Sequence, residues 1–98
     1  MVTEIETKGF PQLVLGKKNT VYIHHLDGEY VISVSGVTAF PDTDMARILK
    51  MSEIEYQRMF QSFGARKRYL SVDGEEICIS SFEKMRDAHR CAISMARG

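Results

Sequence analysis

The three histidines and two cysteines of this chain are its best candidates for binding a metal or attacking a substrate, and their spacing limits what they can do. His24 and His25 adjoin in the strand-like run TVYIHHL, where successive side chains point to opposite faces, so they cannot chelate one ion together. His89 and Cys91, two apart in a helical pattern, stand about 200° apart around its axis. Cys78 could approach Cys91 if the last helix packs on the preceding hairpin. Without a C-x-x-C knuckle, however, two buried free thiols are the simpler reading. There is no Gly-rich phosphate loop, H-E-x-x-H or G-x-S-x-G elbow. Asp42, Thr43 and Asp44 are three consecutive candidates for a helix N-cap, which accounts for them without catalysis. One core of this size also leaves little room for a pocket. The expectation is no enzyme, no metal and no cofactor.

Charge offers two better candidates for contact chemistry. Arg47, Lys50, Arg58 and the run Arg66-Lys67-Arg68 could neutralise phosphates, with Lys84, Arg86 and Arg90 further on. Asp27 and Glu29 at one turn, and Asp73, Glu75 and Glu76 at another, could meet a partner protein with a basic groove. Thirteen Lys plus Arg balance thirteen Asp plus Glu. Zero formal charge lowers the prior for a nucleic-acid binder, because phosphate neutralisation dominates such affinity. Tyr22 and Tyr30 flank the first turn and are placed on one sheet face, with Tyr22 in line with His24. Aromatics so placed can stack bases or simply pair across strands.

The elements that would position these residues follow from periodicity and turn chemistry. Residues 1–10 are polar, with an edge strand expected at 4–7. QLVLG is a short apolar run, and GKKN, residues 16–19, is a turn. TVYIHHL and EYVISVS flank Asp27-Gly28, and RYLSV and EEICIS flank Asp73-Gly74. Asp-Gly between alternating runs predicts a type I′ hairpin, since both central residues need positive φ. The likeness of LDGEYV to VDGEEI leaves a duplicated ββα unit conceivable.

Pro41 closes the first unit. The spacing then predicts a helix presenting Met45, Ile48 and Leu49 on one side. Ser52 with Glu55 reads as a capping box starting a second helix, whose stripe is Tyr56, Met59, Phe60 and Phe63. Gly64 sits where a left-handed C-terminal residue belongs. Ser80 and Glu83 read as another capping box, opening a last helix with Phe82, Met85, Ala88, His89, Ala92, Ile93 and Ala96 inward.

Residues 44–90 resemble the excisionase and MerR-type winged helix-turn-helix group, and short phage-encoded proteins of the same layout. Ala46 takes the small position on the first helix, and Met45, Leu49, Met51, Tyr56 and Met59 fall at the apolar offsets. Lys50 stands where the turn usually has Gly, a departure that is tolerable if the backbone stays helical there. The resemblance implies that the helix at 53–63 enters the major groove and that the wing at 68–80 contacts the DNA backbone or minor groove. Glu53 and Glu55 on that helix, and the acidic wing tip, put this role in doubt, because phosphate contacts come from Lys and Arg.

The expected fold is α+β in one domain over 1–98: a β-meander at 1–40, a helical hairpin at 42–64, a wing-like β-hairpin at 68–80 and a C-terminal helix at 81–97. The apolar share of 44% and charged share of 27% are ordinary for a globular chain. Six Met and no Trp favour gap-filling and adaptable contacts. The N-terminal decapeptide does not read as a signal peptide, no apolar run approaches a membrane span, and the cysteine usage fits a reduced, cytoplasmic setting. The expected function is a small non-enzymatic binding protein, a phage or mobile-element product that docks on and modulates a host or defence protein. The alternative is a winged helix-turn-helix regulator of DNA, dimeric to span half-sites. A protein partner is favoured, DNA is possible, and a membrane is not expected.

Overall fold

The computed structural model describes residues 7–34 and 41–97. An antiparallel sheet is built from β1 (Lys8–Leu15), β2 (Thr20–Leu26) and β3 (Glu29–Val34), in that order. The helices α1 (Asp42–Ile48) and α2 (Glu53–Ser62) follow, then the hairpin β4 (Arg66–Val72) and β5 (Glu75–Ser81), and finally α3 (Met85–Arg97). The layout is the α+β arrangement expected. The edge strand expected at 4–7 lies, apart from Thr7, outside the described residues.

Both Asp-Gly pairs make the turns their chemistry demands. Asp27 and Gly28 have φ of +51° and +78°, and Asp73 and Gly74 have +50° and +80°. Two positive φ values in succession match the right-handed twist of the flanking strands, which types I and II would splay. The hairpins then join through one isolated bridge, where Tyr30 and Phe82 exchange backbone hydrogen bonds of 2.8 Å in both directions.

The main core lies between the sheet and α3. Val21, Ile23, Ile32 and Val34 face Ala88, Cys91, Ala92, Met95 and Ala96, and Met45, Ala46, Tyr56, Phe60 and Phe82 close the cluster. Each large side chain fully removed from water contributes about 1.5–3 kcal/mol. Phe60 sits at the centre, with ring centroids 4.3 Å from Tyr56 and 5.8 Å from Phe82. A second, smaller cluster of Leu26, Val31 and Ile79 holds the β4–β5 hairpin against the first.

The helical hairpin ends each helix in the same way. Lys50 N–H donates to the Arg47 carbonyl and Met51 N–H to the Ala46 carbonyl, while Lys50 has φ +58°. This is a Schellman ending, repeated at Gly64 and Ala65 after α2. The backbone therefore leaves the helix at Lys50, contrary to the expectation that it stays helical there. A non-glycine residue carries the left-handed turn at a cost of roughly 1 kcal/mol.

Several local readings are corrected. The N-cap of α1 is Pro41, with no side-chain cap, because the Asp42 carboxylate turns inward instead. Ser80 and Glu83 make no capping box: Ser80 and Ser81 are the last residues of β5, so the final helix starts at Met85 rather than at 81. Likewise β4 begins at Arg66. Met45, Ile48 and Leu49 do not share one buried side, since Met45 is fully buried and Ile48 is 40% exposed. Tyr30 pairs with His25 and Tyr22 with Ser33, which puts the two tyrosines on opposite faces of the sheet. Cys91 is buried in the main core while Cys78 borders α1 and α2, and both are free. The Ser52–Glu55 capping box forms as read.

The turn between β1 and β2 caps the far end of α3. Lys18 and Asn19 N–H groups donate to the Ala96 carbonyl at 3.1 and 3.4 Å, and Asn19 Nδ2 donates to the Met95 carbonyl at 3.1 Å. Gly16 makes this approach possible, since a Cβ there would lie 2.3 Å from the Ala96 carbonyl oxygen. Among the described residues, no helix is long and apolar enough to cross a membrane.

Candidate functional site

The two similar hairpin tips have different fates. At the first, Glu29 accepts hydrogen bonds from Arg66, from Arg68 Nη1 at 3.4 Å and from Ser81 Oγ at 2.6 Å, while Arg68 Nη2 also lies 3.6 Å from Asp27. Two of the candidate phosphate contacts, Arg66 and Arg68, are thus paired with two of the candidate protein contacts, Asp27 and Glu29. Arg66 further approaches Glu83 at 3.7 Å. Glu29, Arg66, Arg68 and Ser81 come from β3, β4 and β5, with Asp27 in the β2–β3 turn and Glu83 just after β5, and their mutual neutralisation binds one hairpin to the other.

Burial pushes the Glu29 carboxyl up, but the Arg66 and Ser81 hydrogen bonds and the two guanidinium charges outweigh it. The net result holds its pKa below the ordinary carboxylate value. A lowered folded pKa contributes stability at pH values above the unfolded pKa, and that stability is lost as pH falls through the folded value. Glu29→Gln is expected to cost about 1 kcal/mol at neutral pH, the scale of a partly screened ion pair. It should also flatten the acid limb of a urea stability–pH profile. An acid limb unchanged by Glu29→Gln would show that the network is not held in solution.

At the second tip, Asp73, Glu75 and Glu76 are exposed, and none of them takes part in an ion pair within 4 Å among the described residues. Glu75 and Glu76 line a groove of about 430 Å³ together with Asp44 and Glu53, at the starts of α1 and α2. No lysine or arginine lines it. Arg47 lies 3.6 Å from Asp44 and is largely exposed, and the Lys67 charge acts on Cys78. Cys78 forms part of the groove wall, and Asp42 lies fully buried beside it.

Asp42 is the polar hub under this groove. Its Oδ1 accepts from Ser80 Oγ at 3.0 Å, and its Oδ2 accepts from Gln57 Nε2 at 2.9 Å and from Cys78 Sγ at 3.5 Å. One carboxylate so ties α1, α2 and β5. Burial raises its pKa, against the three hydrogen bonds, and the nearby Glu53 charge raises it further. The Cys78 thiol is pushed up to about 11 by burial and by Asp42, and Cys91 to about 12 by burial. Reactive cysteines need a stabilised thiolate, and both thiols here sit in the opposite environment. Among the described residues, no group of three metal-binding side chains gathers.

The remaining candidates are scattered. Arg47 and Lys50 stand on and after α1, Arg58 on the outer face of α2 and Lys67 on β4, all exposed. Of the histidines, His25 stacks on Tyr30 with centroids 5.1 Å apart, and His24 is hydrogen-bonded to Ser33 at 2.7 Å. A second groove, of about 530 Å³, lies between the α1–α2 turn and α3, lined by Met51, Met59 and Met95 among others. Two grooves of this size exceed what a single small core was expected to leave.

Comparison with family models, curated proteins and solved structures returned no match. The site is therefore read from its own chemistry. Sequence reasoning singled out Glu75 and Glu76 as contact candidates, read Asp42 and Asp44 only as caps, and did not bring Glu53, Gln57 and Ser80 to this place. An Asp just after Pro41 looks like a cap, and only the fold turns its carboxylate inward.

Proposed function

We propose that this chain is a small non-enzymatic binding protein that docks on a basic surface of a partner protein through the acidic groove. The observation that carries this reading is the set Asp44, Glu53, Glu75 and Glu76 lining one groove without a lysine or arginine. Asp44 and Glu53 stand in the first turns of α1 and α2, where the helix dipoles favour a carboxylate, while the exposed Glu75 and Glu76 gain from an opposite potential on a partner, and such complementarity steers encounter and selects partners. The layout likeness to short phage-encoded proteins points to a phage or mobile-element product that modulates a host or defence protein.

The second reading, a winged helix-turn-helix regulator, rests on the left-handed turn at Lys50 and on the order helix, turn, helix, hairpin. Against it, the acidic groove occupies the start of α2 and the hairpin tip, the surfaces that would face phosphates, and Arg66 and Arg68 are engaged internally. The exposed bases left to it are Arg47, Lys50, Arg58 and Lys67, with Lys84 before α3 and Arg86 and Arg90 on it.

Fluorescence anisotropy separates the two, using a labelled lysine- and arginine-rich peptide and a labelled mixed-sequence DNA duplex. The expected result is salt-sensitive binding of the peptide that Glu75→Lys with Glu76→Lys abolishes, and no duplex binding at low salt. Duplex binding that weakens steeply with salt, and that Arg58→Ala with Lys67→Ala reduces, would replace the first reading with the second.

A further inference from the structure

The second groove has the opposite character. Its walls are apolar and thioether-rich, with Ile48, Met51, Met59 and Met95, and its rim carries Lys18 and Lys50. No acidic side chain lines it. Its volume, about 530 Å³, lies within the range of sites that bury a ligand, but it is half open rather than enclosed.

Both cationic rims are held by the backbone. Lys18 belongs to the turn pinned on α3 by three hydrogen bonds to the Met95 and Ala96 carbonyls. Lys50 occupies the left-handed position of the Schellman turn, where glycine would be less strained. A lysine at a position that suits glycine places a charge at the rim at a conformational cost. Methionine walls adapt to varied apolar shapes, while the fixed rims reduce the ordering that binding requires. A half-open trough suits side chains projecting from a peptide better than a free hydrocarbon chain, which needs burial on all sides.

We propose that this groove takes the apolar side chains of an acidic, amphipathic peptide segment of a partner protein, whose carboxylates pair with Lys18 and Lys50. The site is separate from the acidic groove and carries the opposite charge, so either can fail without the other.

The test is selection of displayed random short peptides on the immobilised full chain, followed by anisotropy titration of synthetic copies of the winners. The expected winners combine apolar residues at helical spacing with Asp or Glu, and bind less tightly as salt rises. Lys18→Glu with Lys50→Glu should weaken them about tenfold, the scale of two rim ion pairs. Lys50→Gly should weaken them about threefold while the thermal midpoint does not fall, which separates the charge effect from damage to the fold. Glu75→Lys with Glu76→Lys should leave their affinity intact. Acidic winners unaffected by the two lysine changes would overturn the proposal, as would a pool without acidic bias once the basic peptides that Glu75→Lys with Glu76→Lys releases are set aside. If sedimentation shows a dimer that Lys18→Glu with Lys50→Glu dissociates, the occupant is a second copy and the peptide assignment is wrong. Displacement of the winners by an alkyl carboxylate at lower concentration than by the free peptide would assign the groove to an amphiphile instead.

Discussion

Asp42→Ala is expected to destabilise the protein by about 3 kcal/mol, because it leaves buried donors without an acceptor. Ser80 Oγ and Gln57 Nε2 both donate to this carboxylate, and Ser80 is only 6% exposed. Removing the acceptor also releases the joint between α1, α2 and β5. Asp42→Asn should cost far less, about 1 kcal/mol or below, since the Gln57 amide and the Ser80 hydroxyl can turn to suit a neutral partner. The pH dependence gives a second check. Burial raises the folded pKa of Asp42, so the folded state holds its proton to a higher pH than the unfolded chain does. Stability from this group is complete at low pH and declines as pH rises from the ordinary carboxylate range through the folded pKa, opposite in sign to the contribution of Glu29. Urea unfolding of the wild type and both variants across that window measures each effect. Equal stability of wild type and Asp42→Ala would mean that the hub is not formed.

Gly16→Ala is expected to cost about 3 kcal/mol by forcing the β1–β2 turn off the end of α3. The added Cβ would stand 2.3 Å from the Ala96 carbonyl oxygen and 2.6 Å from its Cβ, with no flexible side-chain end to give way. The turn must shift, and the caps donated by Lys18 and Asn19 go with it. Amide exchange at Lys18 and Asn19 should quicken even under conditions where the central strands stay protected. Unchanged protection there, with unchanged stability, would show that the turn and α3 do not meet this closely.

What could be read from the residues was whatever is encoded within a few positions. Asp27-Gly28, Asp73-Gly74, Ser52 with Glu55, and Gly64 each state a local geometry, and each adopts it. The same local logic failed at Ser80 with Glu83 and at Asp42, because a strand end and a buried carboxylate there answer to partners far along the chain. Gly16 reads as a turn residue, yet its stricter role depends on Ala96, and Asn19 reaches Met95 across 76 positions. The same holds for the candidate contacts. Asp27-Gly28-Glu29 and Asp73-Gly74-Glu75 are equivalent as sequences, and only the packing of one hairpin on the other decides which tip is neutralised by Arg66 and Arg68.

The joint between the hairpins also sets an order of events in folding. Each Asp-Gly hairpin closes its own short loop and can form within about 10 microseconds without the other. The contacts that join them, Glu29 with Arg66 and Ser81 and Tyr30 with Phe82, close loops of up to 52 residues, which carries a larger entropic penalty. Docking of the hairpins therefore belongs after the transition state for each. Weakening the joint at Glu29 should accelerate unfolding and leave the refolding rate almost unchanged. Loss of this charged joint is expected to shorten the lifetime of the native state more than it slows its formation, which stopped-flow unfolding and refolding of Glu29→Gln measures.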